Sequence, residues 1–197
     1  MAASPGGDEP VPAPRTVTAK LGVRTLVIGL GNEYAGDDAV GILAARAVSA
    51  ELAGVADVVE SAASGLALLE DFAGYDRAIV IDAILTGRHP PGSIIEMSLT
   101  DLGPVVAPSA HQAGMPELAV VASRLGLRFP AQTRVLAVEV SGPPAFGEPL
   151  SDAVAAAIGP LGRSVRAQLD RWAAEDADRE GRCGGGREEG ACTTTTP

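Results

Sequence analysis

Leu26-Val27-Ile28-Gly29-Leu30-Gly31-Asn32-Glu33-Tyr34-Ala35-Gly36-Asp37-Asp38-Ala39-Val40-Gly41 is the stretch around which the rest of the chain is organised. Its first residues are aliphatic and β-branched, the composition of a strand buried in a parallel sheet. The run breaks at Gly29, Gly31 and Asn32, residues that tolerate the tight or left-handed backbone needed to leave a sheet. After the two aspartates the apolar period changes. Val40, Leu43, Ala44, Ala47, Val48 and Leu52 fall on one stripe of an amphipathic helix. The order is strand, glycine turn, acidic helix start, helix.

Glycines after a first strand also begin dinucleotide and phosphate loops. Here the spacing is Gly-x-Gly-x-x-x-x-Gly rather than Gly-x-Gly-x-x-Gly, and no Gly-Lys-Ser/Thr follows. A helix start attracts anions through its free N–H groups and dipole. Two carboxylates placed there occupy that field and repel phosphate. Asp37 reads as the N-cap of the helix. A second acid exceeds what capping requires, which leaves Asp38 as a candidate functional carboxylate.

Composition sets the outer bounds. The chain has 197 residues, 46% hydrophobic but only 3% aromatic, and a formal charge of -10. Its length suits one domain with tails. The acidic balance argues against nucleic acid or an anionic membrane surface as partner. No apolar run approaches the roughly 20 residues of a membrane-spanning helix, and Met1 to Pro14 lacks the basic and apolar regions of a secretory signal. Cys183 and Cys192 stand in a polar, glycine-rich tail, too late to staple a core. The expectation is a soluble cytoplasmic protein.

Residues 1–21, rich in Pro, Ala and Gly, read as a disordered leader, 22–175 as the folded domain, and 176–197 as a disordered tail. Strands are expected at 24–30, 56–60, 77–82, 93–97 and 133–140. The first helix spans 37–52. A second carries Leu66, Leu68, Leu69 and Phe72. A third opens at Met115-Pro116-Glu117 and turns Leu118, Val121, Ala122 and Leu125 inward. The last runs over 151–174 with a break at Gly159-Pro160. Alternating strands and helices predict an α/β fold, a mainly parallel five-stranded sheet with helices on both faces.

In such a sheet the loops at the carboxyl ends of the strands gather along one edge, where sites form. Asp38 follows the first strand and Asp82 ends the third. His111, in Ser109-Ala110-His111-Gln112-Ala113-Gly114, stands just before a helix and can reach the same edge. Two carboxylates and an imidazole make a mixed O/N set suited to a divalent transition metal, with positions left open for water or substrate. Taken singly, each residue also has a plain structural reading: a helix-start acid, a strand-end acid, a loop histidine. His89, in a Pro-rich loop, reads as an exposed surface residue.

Three segments together carry a resemblance. Gly29-Leu30-Gly31-Asn32 with Asp37-Asp38-Ala39-Val40-Gly41 resembles the N-terminal signature of the hydrogenase maturation proteases. Val80-Ile81-Asp82-Ala83-Ile84 resembles that family's strand-end aspartate, and Ser109-Ala110-His111-Gln112-Ala113-Gly114 its Ser-x-His segment. The similarity spans roughly residues 24–172.

These endopeptidases trim a C-terminal extension from the large-subunit precursor of nickel-iron hydrogenases. The resemblance places their metal-site residues on Asp38, Asp82 and His111, which would be both the metal ligands and the catalytic groups. It implies that nickel is supplied by the substrate rather than held tightly by the free enzyme. The attacking group is left open between a nearby carboxylate and a metal-polarised water. Two departures stand out. Glu60-Ser61-Ala62-Ala63-Ser64-Gly65 replaces the family's Asp-Gly-Gly-Thr-like turn, and Ala39 replaces a glycine. Two other readings therefore stay open: a relative that binds a hydrogenase subunit without cutting it, and a phosphate- or nucleotide-binding α/β domain.

Overall fold

The computed structural model describes residues 22–98, 101 and 115–184. Five strands, β1 (Thr25–Leu30), β2 (Asp57–Ser61), β3 (Arg77–Ile84), β4 (Ile94–Ser98) and β5 (Gln132–Glu139), form one sheet in the order β2-β1-β3-β5-β4. The ladders β1–β2, β1–β3 and β3–β5 are parallel, and β4 pairs antiparallel with β5 at the edge. The expected α/β architecture is the one found. All eight residues of β3 are buried, Arg77 and Asp82 among its six apolar ones, as befits a central strand covered on both faces.

Helices α1 (Val40–Val48), α2 (Leu68–Phe72), α3 (Met115–Arg124), α4 (Asp152–Ala155) and α5 (Ile158–Gly184) cover the two faces. On one, Val40, Ala44 and Val48 of α1 and Leu161, Val165 and Trp172 of α5 pack on Val27, Ile79, Ile81, Leu136 and Val138. On the other, Leu68 and Phe72 of α2 and Met115 and Leu118 of α3 pack on Leu26, Ile28, Val80, Val135 and Ala137. Adjacent strand residues feed opposite cores, the two-residue period of a strand covered on both sides. Among the described residues no helix is long and apolar enough to cross a membrane.

Several boundaries differ from expectation, each for a physical reason. β3 continues through Asp82 to Ile84, because Asp82, Ala83 and Ile84 pair with Ala137, Val138 and Glu139 of β5. Asp82 therefore lies inside the strand rather than at its end. Leu66 and Leu125 are exposed rather than inward. Leu66 lies in a 3-10 turn, Gly65–Ala67, before α2, and Leu125 falls just past the end of α3. The break in the last helical region falls at Ala156 and Ala157, not at Gly159-Pro160. Pro160 is accommodated in the first turn of α5, where its missing N–H has no intrahelical partner to lose.

α5 also runs past residue 175 to Gly184, into the stretch read from sequence as a disordered tail. The guanidinium of Arg77, buried at the start of β3, donates two hydrogen bonds to the Asp176 carboxylate at 2.8 and 2.6 Å and lies 5.4 Å over the Trp172 ring. α5 is thus tied to the sheet at Trp172 and Asp176, about two turns before its end. Residues 1–21 and 185–197 lie outside the described residues.

Candidate functional site

Three glycines bring the acidic turn onto the sheet. A Cβ on Gly29 would stand 2.1 Å from the Gly41 carbonyl oxygen, and one on Gly41 would stand 2.2 Å from the Leu30 oxygen and 2.4 Å from the Ile81 oxygen. Gly31, at φ 142°, faces the Asp38 carbonyl oxygen, 1.8 Å from where its Cβ would lie. Such distances exclude any side chain. The start of α1 therefore lies directly against the carboxyl ends of β1 and β3. The glycines serve this close approach as well as the turn read from sequence.

Asp38 lies half-buried in the 3-10 turn Gly36–Ala39 that leads into α1. Asp82 is fully buried, and its Oδ1 accepts the N–H of Ala83 at 2.8 Å. Gly29 of β1 pairs with Ile81 of β3, so the turn carrying Asp38 follows the strand beside the one that holds Asp82, and both acids lie in the carboxyl halves of the sheet or beyond. His111, the third candidate, lies outside the described residues. Among the described residues no group of three His, Cys, Asp or Glu side chains could hold a metal ion.

Asp37 is not an N-cap. Ala35 holds that position in the 3-10 turn and makes no side-chain cap. The Asp37 carboxylate instead accepts the Ser151 N–H at 2.7 Å and the Ser151 hydroxyl at 3.0 Å, at the start of α4. The neighbouring loop follows, with the Gly147 N–H donating to the Tyr34 carbonyl at 2.8 Å. Asp37 thus fastens the turn that carries Asp38 to a segment more than a hundred residues away.

The segment that departs from the expected Asp-Gly-Gly-Thr-like turn is well braced. Glu60 accepts two hydrogen bonds from the Arg46 guanidinium, at 3.1 and 2.6 Å, and Glu33 lies 3.5 Å from the same group. The Arg46 hydrogen bond, helped by its positive charge, outweighs the cost of burial and holds the Glu60 carboxyl below its ordinary range. The Ser61 hydroxyl donates to Asp71 at 2.8 Å and accepts the Ala63 N–H at 3.2 Å.

Sequence reading passed over Glu139, although it carried the same signal as Asp82: a single acid within an apolar strand. It is 1% exposed at the end of β5. Burial pushes its carboxyl up, but the Thr86 hydroxyl and the N–H groups of Gly87 and Thr86 outweigh this and leave it below its ordinary value. His89 is exposed, as expected. Two surface grooves, of about 500 and 460 Å³, lie along α5 and include neither Asp38 nor Asp82.

Comparison with known proteins bears on this arrangement. A family model described as hydrogenase maturation protease matches residues 43–167. The Hydrogenase 2 maturation protease of Escherichia coli strain K12 is 29% identical over 163 residues, covering 80% of this chain and 98% of that protein. Among solved structures, the hydrogenase maturating endopeptidase HybD of E. coli superposes with a TM-score of 0.61 at 26% identity, covering 76% of this chain and 93% of its own. A solution structure of an endopeptidase from E. coli gives a TM-score of 0.66 at 26% identity, with the same coverage. The HybD of Thermococcus kodakarensis, at 24% identity and a TM-score of 0.60 over 75% of this chain and 99% of its own, shares the fold.

Proposed function

Because the chain belongs to the hydrogenase maturation protease family, and is accordingly a peptide-bond hydrolase, we propose that it removes the C-terminal extension of a nickel-iron hydrogenase large-subunit precursor, recognising nickel already inserted in that substrate. We place the reaction in the cytoplasm. The observation that supports this reading is the docking of the acidic turn on the sheet through Gly29, Gly31 and Gly41, which lays the turn that carries Asp38 against β1 and against β3, the strand that holds Asp82.

In this mechanism Asp38, Asp82 and His111 form the ligand set that meets the nickel of the precursor. Carboxylate oxygens and an imidazole nitrogen suit a borderline divalent ion. Asp82 is dry and held by the Ala83 N–H, so its carboxylate is preorganised. Asp38 is half-buried, so part of it stays open to solvent. Binding draws the precursor into register with the edge. Water at the scissile carbonyl would break the C–N bond and release the extension as its free amine. If a carboxylate attacked first, water would then open the resulting anhydride to the same products. Protonating His111 removes its donor pair, so cleavage weakens as the imidazole becomes charged. The free protein holds nickel weakly, because the remaining ligands come with the substrate.

The phosphate-binding alternative loses its basis, since the space beside Gly29, Gly31 and Gly41 is filled by the chain's own carbonyl oxygens rather than open to an anion. The non-cleaving alternative rests on the altered Glu60–Ser64 turn. Incubation with precursor, read by mass, separates it from the proposal. Nickel-loaded precursor should be shortened and nickel-free precursor should persist. Equal cutting of both would refute recognition through nickel, and binding without cutting would establish the non-cleaving reading.

A further inference from the structure

Glu139 is a buried acid for which the mechanism above has no use. Its side chain and backbone together close the connection between β3 and β4. Oε1 accepts the N–H groups of Thr86 and Gly87, each at 2.7 Å, and Oε2 accepts the Thr86 hydroxyl at 2.5 Å. The Gly92 N–H donates to the Glu139 carbonyl at 2.8 Å, and the Glu139 N–H donates to the Ser93 carbonyl at 2.9 Å. One residue therefore holds both ends of the loop 85–92. Gly92 seats the far end so close to α4 that a Cβ there would stand 2.4 Å from the Ala153 oxygen.

The position of this loop gives the anchor meaning. It begins three residues after Asp82, at the same edge of the sheet. It displays Leu85, an exposed aliphatic side chain. It also displays Arg88, exposed, with its backbone N–H fixed on the Thr86 hydroxyl at 3.1 Å. No ion pair with a described residue engages the guanidinium of Arg88, Arg124, Arg134, Arg163, Arg179 or Arg182, and of these six only Arg88 stands on a connection that leaves the carboxyl end of a parallel strand, the others lying in α3, β5 and α5. A fixed loop that presents an exposed cation at the sheet edge from which β3 leaves is arranged to meet a carboxylate from outside.

We propose that the loop 85–92 is a substrate-gripping wall of the site, with Arg88 taking a carboxylate of the precursor peptide and Glu139 as the positioning residue that holds the wall in place. This rests on the endopeptidase reading. Glu139 acts by holding the donors of the loop in place, not by presenting its charge to the substrate. A glutamine fits the same pocket, its oxygen accepting both amide N–H groups and its NH2 donating to a rotated Thr86 hydroxyl. Alanine removes the anchor entirely.

Steady-state cleavage of nickel-loaded precursor, with amide hydrogen exchange at residues 86, 87 and 92, tests this. Glu139→Ala should raise KM by about tenfold with kcat within about threefold, the loss expected when charge-assisted hydrogen bonds are removed. The three amides should exchange faster. Glu139→Gln should restore KM to within about threefold of the parent and recover slow exchange. Arg88→Ala, at an exposed position, should raise KM by about fivefold, less so at high salt. If Glu139→Ala does not fold, Thr86→Ala loosens the anchor more gently and should raise KM by about threefold. An unchanged KM in Arg88→Ala, or a glutamine variant as impaired as the alanine one, would overturn the proposal. An unmodified protein that leaves every precursor uncut would instead overturn the endopeptidase reading beneath it.

Discussion

The two ends of the sheet treat their acids differently. At the amino ends of the strands, acids meet arginines: Asp176 is paired by Arg77, Asp57 by Arg24, and Asp76 by Arg128. Arg24 also donates its N–H to Asp76 at 2.7 Å and lies 4.4 Å over the Tyr75 ring. At the carboxyl ends the hydrogen bonds seen among the described residues come mostly from neutral donors. Ser151 holds Asp37, Thr86 and Gly87 hold Glu139, and the Ala83 N–H holds one oxygen of Asp82. Arg46, between Glu60 and Glu33, is the exception, on the flank next to β2. Arginine cancels the charge of its partner, whereas an N–H or hydroxyl orients a carboxylate and leaves the charge in place. One end is built for cohesion, and at the other the described contacts orient carboxylates without cancelling their charge.

The largest effect expected from this contrast is on cleavage. Asp38→Asn, Asp82→Asn and His111→Ala should each lower cutting of nickel-loaded precursor by at least about a hundredfold, given that even supporting residues of metal sites are worth 10–100-fold. Asp37→Asn, which loosens only the tie to Ser151, should cost about tenfold or less. Circular dichroism should show all four folded. Full activity in both Asp38→Asn and His111→Ala would break the assignment of charge to function at this end.

At the opposite end the same kind of change should move stability and not catalysis. Asp176→Ala leaves the buried Arg77 guanidinium without its partner. Asp176 is itself one-third exposed, so about 2 kcal/mol is expected rather than the full cost of a buried pair. In a domain of this size that corresponds to a fall in melting temperature of about 4–8 °C. A chain ending at residue 175 should behave alike, and one ending at residue 184 should melt within about 1 °C of the parent. Equal melting of both truncations would show that the end of α5 contributes nothing.

The smallest effect is on the acid limb of stability. Arg77's hydrogen bonds, against a burial penalty, hold Asp176 below its ordinary pKa, and Glu139 is likewise held below its own. A carboxyl lowered in the folded state gives stability that is complete well above its unfolded pKa of about 4. That stability is lost as pH falls below it, because the unfolded chain binds protons first. Melts between about pH 2 and 7 should therefore steepen below pH 4. Asp176→Asn should flatten part of that slope, and a slope unchanged by it would assign the acid limb to other carboxyls.

The order of elements was legible along the chain. Burial on both faces makes strands such as Val27-Ile28 and Ile79-Val80-Ile81 continuous apolar runs, and one-sided burial makes α1 a stripe. Both are local patterns that neighbouring residues reveal without a partner. Asp38 and Asp82 were visible for the same reason, as acids interrupting such patterns. Short elements were harder: Leu66 and Leu125 kept an apolar period where α2 and α3 are too brief to use it.

Partnership was not legible at all. Arg77 finds Asp176 across 99 residues and Asp37 finds Ser151 across 114. Nothing in the spacing of either pair distinguishes a cap or a tail from a clasp. The glycines posed the same limit. Composition marks Gly29, Gly31 and Gly41 as permissive backbone, but only the approach of α1 to β1 and β3 shows that the room they leave is filled by carbonyl oxygens. Periodicity records which side of an element is buried. What lies against that side, and which donor meets which carboxylate, depends on how distant segments pack, and only the folded chain brings them together.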